Sequence, residues 1–123
     1  MTEALLAGRR VLVVEDETMV AMLVETVLED EHCAIVGPIG DLDEALAAAE
    51  SEVLDLAVLD INLAGRMVFP VAEVLARRGV PFLLLSGYGD KALPGNRQHW
   101  PICGKPFRMV DLVAALNRLL EPA

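Results

Sequence analysis

Basic residues are in short supply in this chain. Ten Lys and Arg stand against 19 Asp and Glu, a formal charge of −9 at neutral pH. Nucleic-acid binding needs a clustered basic face, so it is disfavoured; most of the acids are expected on solvated helix faces that keep a small domain soluble. Long apolar runs are also missing, none approaching the ~18 residues that cross a bilayer. The opening MTEALLAGRR lacks the basic-then-apolar order of a secretory signal. No membrane partner is expected, and the cytoplasm is the expected compartment. Cysteine is limited to Cys33 and Cys103, without metal-ligand spacing, so small core thiols are expected rather than a metal site. Aromatics make up only 4% of the residues. The core must therefore be aliphatic, which suits a packed α/β domain and argues against disorder. At 123 residues, the chain is expected to form one domain, 1–123.

Five short apolar runs recur: RVLVVE (10–15), CAIVG (33–37), DLAVLD (55–60), PFLLLS (81–86) and PICGK (101–105). LAVL and FLLL have no polar alternate face, the mark of parallel strands covered on both sides. Helical spacing fills the gaps. A first helix after Asp16 carries Val20, Leu23, Val24, Val27 and Leu28, and a second opens on Asp41 and Glu44, a capping pattern. A third begins near Pro70 and stops at Gly79, and the last shows Met109, Leu112, Leu116 and Leu119. The stretch GYGDKALPGNRQH (87–99), with three glycines and Pro94-Gly95, predicts a short or irregular fourth helix. Alternating strands and helices predict a doubly wound five-stranded parallel sheet, flavodoxin-like, in the order 2-1-3-4-5. In that order Cys33 and Cys103 lie on opposite edges, about four spacings of ~4.8 Å apart. A disulfide needs Cα atoms within ~7 Å, so two free thiols are expected.

Ligands bind such a sheet at the strand C-termini, where strand order reverses. The residues just past those ends are Glu15 and Asp16, Asp60, Ser86 and Lys105. Two carboxylates ~4 Å apart repel by about 4 kcal/mol at an effective dielectric near 20. Either one stays protonated or a cation compensates them. A solvated helix start favoured by the helix dipole accounts for Glu17 and competes as an account of Glu15; for Asp60, ending a strand with no polar face, it is weak. Oxygen-only ligands with open water positions suit Mg²⁺, which commonly accompanies phosphate chemistry. Lys105, Ser86 and the space left by Gly87 supply what a phosphoryl group needs around it, and Asp is a competent phosphoryl-accepting nucleophile. Lys105 as a plain salt-bridge partner of Asp60 is the simpler alternative.

An acid pair after strand one, Asp after strand three, Ser and a small residue after strand four, and Lys-Pro after strand five resemble the receiver domain of bacterial two-component response regulators, the CheY-like family, along essentially the whole chain. The resemblance implies that Asp60 is the phospho-acceptor and that Glu15, Asp16, Asp60 and the Asn62 carbonyl hold Mg²⁺. It implies that Ser86, Gly87 and Lys105 contact the phosphoryl group, and that Lys105-Pro106 is cis. PFLLLSGYG (81–89), followed by LPGNR and KPF, is similar to short alphaproteobacterial receivers with a PFxFATGYG-type signature, with Leu84 and Leu85 replacing its Phe and Ala. Such receivers are associated with HWE/HisKA_2-type kinases and stress signalling. The implied partners are a sensor histidine kinase or a histidine phosphotransfer protein upstream and an unidentified protein downstream.

One departure is Ile102, where receivers usually carry a Tyr or Phe whose rotation reports phosphorylation. Tyr88 and the 87–99 segment are the candidate replacements, and the irregular fourth helix is the second departure. His32 is expected to face solvent, His99 to be neither a ligand nor a phosphorylated histidine, and Trp100 a lid over the strand edge. The implied function is a stand-alone switch, relay intermediate or phosphate sink that hydrolyses its own acyl phosphate slowly and is not an enzyme in the ordinary sense. The alternatives are an excised receiver of a larger regulator, a haloacid-dehalogenase-like small phosphatase, and a flavin-binding module. The phosphatase wants an Asp where Asn62 stands, and the flavin module wants a phosphate cradle where VVEDET supplies carboxylates.

Overall fold

The computed structural model describes residues 5–87 and 93–121. In chain order the elements are β1 (Arg10–Val14), α1 (Thr18–Asp30), β2 (Ala34–Ile39), α2 (Leu42–Ser51), β3 (Leu56–Asp60), β4 (Asn62–Leu63), β5 (Arg66–Met67), α3 (Phe69–Arg78), β6 (Phe82–Ser86), β7 (Ile102–Gly104) and α4 (Met109–Leu120). The main sheet runs β2-β1-β3-β6-β7 with every pairing parallel. Once the small hairpin β4–β5 is set aside, this is the expected 2-1-3-4-5 order. The hairpin itself was not anticipated.

β3 and β6 are buried at every position, and alternate residues serve opposite faces. Leu12, Val14, Ala57, Leu59 and Leu84 pack under α2 and α3. Val11, Val13, Leu56, Val58, Leu83 and Leu85 pack under α1 and α4. A strand clothed on both sides cannot slip by one residue without exchanging two aliphatic faces, which pins the register.

Local chemistry sets the helix ends. The Asp41 carboxylate accepts from the Glu44 N–H at 2.9 Å, capping α2. Pro lies in the first turn of α3, which closes on Gly79 at φ 72°. α1 closes the same way on His32, a non-glycine at φ 63°. The His32 and Cys33 amides donate to Glu29 and Leu28. On α4, Leu112 and Leu116 are buried as expected, whereas Met109 is exposed at the helix start.

Between β6 and β7 the only helical turn among the described residues is a 3-10 turn, Gly95–Arg97. The expectation of an irregular fourth helix is thus met, and packing takes its place. Trp100 is buried, its ring 5.3 Å from Phe82 edge-on and 6.3 Å from Phe69. Arg97 lies 5.4 Å above that ring and clasps Glu73 of α3 through two bonds of 2.6 and 3.0 Å. Both cysteines are free thiols.

β2 carries a bulge. Leu12 pairs with Val36 but Val14 pairs with Ile39, so Gly37-Pro38, a cis peptide, absorbs one extra residue. Gly37 has φ 109°, and a Cβ there would meet the Val13 carbonyl at 2.7 Å. The bulge ends with Ile39 accepting the Glu15 N–H at 3.0 Å, which anchors the end of β1. Gly37→Ala is expected to destabilise the fold by at least ~2 kcal/mol in urea unfolding. Gly104→Ala, where a Cβ meets nothing within 4 Å, should change stability by under ~0.5 kcal/mol.

Candidate functional site

The topology delivers the site. The strand order reverses between β1 and β3, and the residues leaving their carboxyl ends are Glu15, Asp16 and Asp60. Backbone bonds tie the neighbouring ends together. Ile61 N–H donates to the Leu85 carbonyl at 3.1 Å, and Lys105 N–H to the Ser86 carbonyl at 2.8 Å. Each functional side chain therefore leaves a backbone fixed by sheet pairing.

Glu15, Asp60 and Ser86 are the buried polar residues among those described, at 4, 5 and 3% exposure. The reading of Glu15 as a solvated helix start is thus corrected: its side chain turns into the sheet edge. Asp16 and Glu17 stay exposed. Lys105 Nζ lies 3.1 Å from Asp60 Oδ1, 3.4 Å from Glu15 Oε2 and 3.9 Å from Glu17 Oε1. The Glu17 N–H donates to Glu15 Oε1 at 3.1 Å. Lys105-Pro106 is cis, as expected.

One oxygen from each of Glu15, Asp16 and Asp60 lies within 4.8 Å of the others. This all-oxygen set, two members buried and one facing water, fits a hard divalent cation that keeps part of its hydration shell. Asp16 and Asp60 open into a cleft of about 490 Å³ lined also by Glu17, Asn62, Ala64, Gly65, Gly87 and Lys105, with Glu15 buried behind them. A Cβ at Gly87 would meet nothing within 4 Å, so the space expected beside Ser86 is open. The Asn62 side chain accepts from the Gly65 N–H at 2.7 Å, closing the β4–β5 turn that walls the cleft. Ile102 pairs with Leu84 and packs against the core. Tyr88 lies outside the described residues.

Sequence reasoning missed two components. The β4–β5 turn was signalled by NLAG (62–65), a turn pattern beginning with Asn and ending with Gly. Glu17 was read as a helix-start acid, although it also reaches toward Lys105.

Charge crowding perturbs the site. Burial, then the hydrogen bond from Glu17 as a partial counterweight, then the charge of Asp60, leave the Glu15 carboxyl pushed up to about 7. For Lys105, burial pulls downward but the hydrogen bond and charge of Asp60, followed by Glu15, outweigh it and hold the ammonium above its ordinary value. The site thus keeps its lysine charged at neutral pH while one carboxyl stands near half-protonation.

The chain matches the response regulator receiver domain family over residues 11–117, and it belongs to that family. It is 31% identical over 113 residues to the transcriptional regulatory protein PdtaR of Mycobacterium tuberculosis, covering 89% of this chain and 55% of that protein. The solution structure of SdrG from Sphingomonas melonis Fr1 is 36% identical with a TM-score of 0.82, covering 98% of this chain and 100% of SdrG. SdrG in its BeF3-activated conformation is 38% identical with a TM-score of 0.77, covering 94% of this chain and 98% of that one. The chain spans about half the length of the curated relatives it matches. No helix among the described residues is long and apolar enough to cross a membrane.

The raised Glu15 carboxyl fixes the sign of a pH effect. A proton is held more tightly in the folded protein than in the unfolded chain, where the group titrates near 4.5. Its stabilisation is complete below that value and disappears as pH rises through about 7. Metal-free protein should lose roughly 3 kcal/mol of stability between pH 5 and 8 from this group. Urea titrations across that range should show the slope, and Glu15→Gln should flatten it.

Proposed function

We propose that this receiver is a Mg²⁺-dependent phospho-acceptor, esterified on Asp60 by a phosphohistidine carried on a sensor histidine kinase or a histidine phosphotransfer protein. The single observation that carries the reading is the convergence of Glu15, Asp16 and Asp60 beside Lys105 at the reversal point of the sheet. Similarity to a receiver with a BeF3-activated conformation supports it. The likeness to short PFxFATGYG-type receivers points toward an HWE/HisKA_2-type kinase as the donor.

A carboxylate oxygen of Asp60 attacks phosphorus while the N–P bond of the donor breaks, leaving an acyl phosphate and a neutral imidazole once that ring takes a proton. Glu15, Asp16, Asp60 and the Asn62 carbonyl would hold Mg²⁺, which would supply charge neutralisation of the phosphoryl oxygens. The chain's own contribution is placement. β3 fixes Asp60, and β7 brings Lys105 against it with its charge retained. Ser86 and Gly87 border the space that the phosphoryl oxygens enter. Positioning with charge compensation is the main content of phosphoryl-transfer catalysis. The protein is a substrate of that transfer and a slow hydrolase of its own acyl phosphate, not an enzyme acting on other molecules. With Asn62 engaged by Gly65, the general acid of a phosphatase has no counterpart there.

Incubation with Mg²⁺ and acetyl phosphate should add one phosphoryl group by intact-mass measurement, and Asp60→Ala should add none. Chelating the metal should abolish labelling, and Lys105→Ala should slow it roughly 10²-fold, as loss of a charge-stabilising donor does. Equal labelling of Asp60→Ala and wild type would overturn the assignment.

Because Ile102 offers no aromatic rotamer, Tyr88 and the 87–99 segment are proposed to carry the response. Arg97, Glu73 and Trp100 are the contacts through which its described part meets α3. Amide exchange over 93–100 should change when beryllofluoride and Mg²⁺ are added; unchanged protection would exclude the segment as the reporter.

A further inference from the structure

We propose that Glu17 is a positioning and specificity-determining residue: it competes with the phosphoryl group for Lys105 and gives the cleft one surplus negative charge that disfavours small, highly anionic phosphodonors. The inference rests on the reading of Asp60 as phospho-acceptor.

Glu17 occupies the N-cap of α1, yet its side chain makes no capping hydrogen bond. Ser, Thr, Asp or Asn at that place would accept from the open N–H groups of the first turn. The longer glutamate instead lines the cleft and brings Oε1 to 3.9 Å from Lys105 Nζ. Lys105 is the only ion-pair partner of Glu17 among the described residues. The helix dipole favours any acid here, but the greater length of glutamate finds its use in the reach to Lys105, outside the helix.

The charge count gives that position a consequence. Among the described residues, Lys105 is the one cation lining the cleft. When all ionised, Glu15, Asp16 and Asp60 carry three negative charges, balanced by Lys105 together with a divalent cation. Glu17 is the charge left over. It stands at the mouth, two-thirds exposed, where an incoming phosphate passes it. After transfer, the new phosphoryl oxygens need Lys105, and Glu17 remains within reach as a rival anion. A donor bound to a protein can offset this repulsion with contacts elsewhere on its surface. A free acyl phosphate has no other contacts to draw on. Glu17 therefore biases the receiver toward protein-borne phosphohistidine and away from stray small-molecule donors.

The test uses the intact chain. At low ionic strength Glu17→Gln should be labelled by acetyl phosphate and Mg²⁺ about three- to tenfold faster than wild type, the range expected for one unscreened unit charge near the mouth. The advantage should shrink toward unity near ~1 M salt, where screening extends only ~3 Å. It should also be smaller with phosphoramidate, a donor of lower negative charge. Calorimetric titration should find Mg²⁺ affinity of Glu17→Gln equal to or tighter than wild type. Labelling that is unchanged or slower, a gain indifferent to salt and donor charge, or markedly weaker Mg²⁺ binding would overturn the proposal. Failure of wild type and Glu17→Gln alike to be labelled on Asp60 would instead refute the phospho-acceptor reading beneath it.

Discussion

Repulsion between buried carboxylates is the constraint on which the rest of this structure depends. Glu15 and Asp60 are almost fully withdrawn from water and cannot retreat, because each leaves the end of a strand held on both sides. Like charges at such separations cost several kcal/mol even at a generous dielectric. One lysine, touching both, offsets part of that cost. Burial itself, with the charge of Asp60 as a lesser contribution, leaves the Glu15 carboxyl raised to about 7. The resting site is thus an unfinished charge balance, open to completion by a proton or by a divalent cation.

Holding that arrangement requires a scaffold that does not relax around it. The aliphatic composition provides one. Two sets of alternating Leu, Val and Ala interlock with helix pairs on opposite faces, so the central strands cannot shift to ease the repulsion. At the edges, where burial is weaker, specific backbone bonds take over. Ile39 accepts from Glu15, and Ser86 accepts from Lys105. The bulge at Gly37 matters because it brings the Ile39 carbonyl into register with Glu15; the unusual backbone of β2 serves the acid at the end of β1.

The fold was legible because its signals are local and repeated. The unbroken runs LAVL and FLLL could not face water on either side, and Pro70, Gly79 and Asp41 announced helix ends by their own chemistry. The site residues were legible because topology alone gathers strand ends on one edge. What stayed hidden depends on partners distant in sequence. Nothing in VVEDET distinguishes the glutamate that buries from the one that does not; the decision is made by Asp60 and Lys105, 45 and 90 residues from Glu15. The clasp of Arg97 on Glu73 likewise joins segments whose individual patterns read as loop and helix. Two-residue strands such as β4 and β5 carry too little periodicity to be seen, and the turn signal from Asn62 to Gly65 between them went unread.

The same dependence on distant partners explains how the described part of the β6–β7 connection, with only a 3-10 turn, retains a defined surface. A helix would satisfy its own backbone and need only one apolar stripe. The 93–100 segment has instead a buried Leu93, the only tryptophan, and a bidentate ion pair to α3. Phe69 and Phe82 receive Trp100, so three of the chain's five aromatics are concentrated at this one junction. Ile102, paired with Leu84 and half-buried against the same core, has no alternative rotamer that would carry an aromatic ring between core and solvent. The Arg97–Glu73 pair is the discrete polar contact that fixes the described part of the segment on α3. The docked segment and α3 thus form one surface, held by an ion pair and an aromatic junction rather than by the single apolar stripe of a helix.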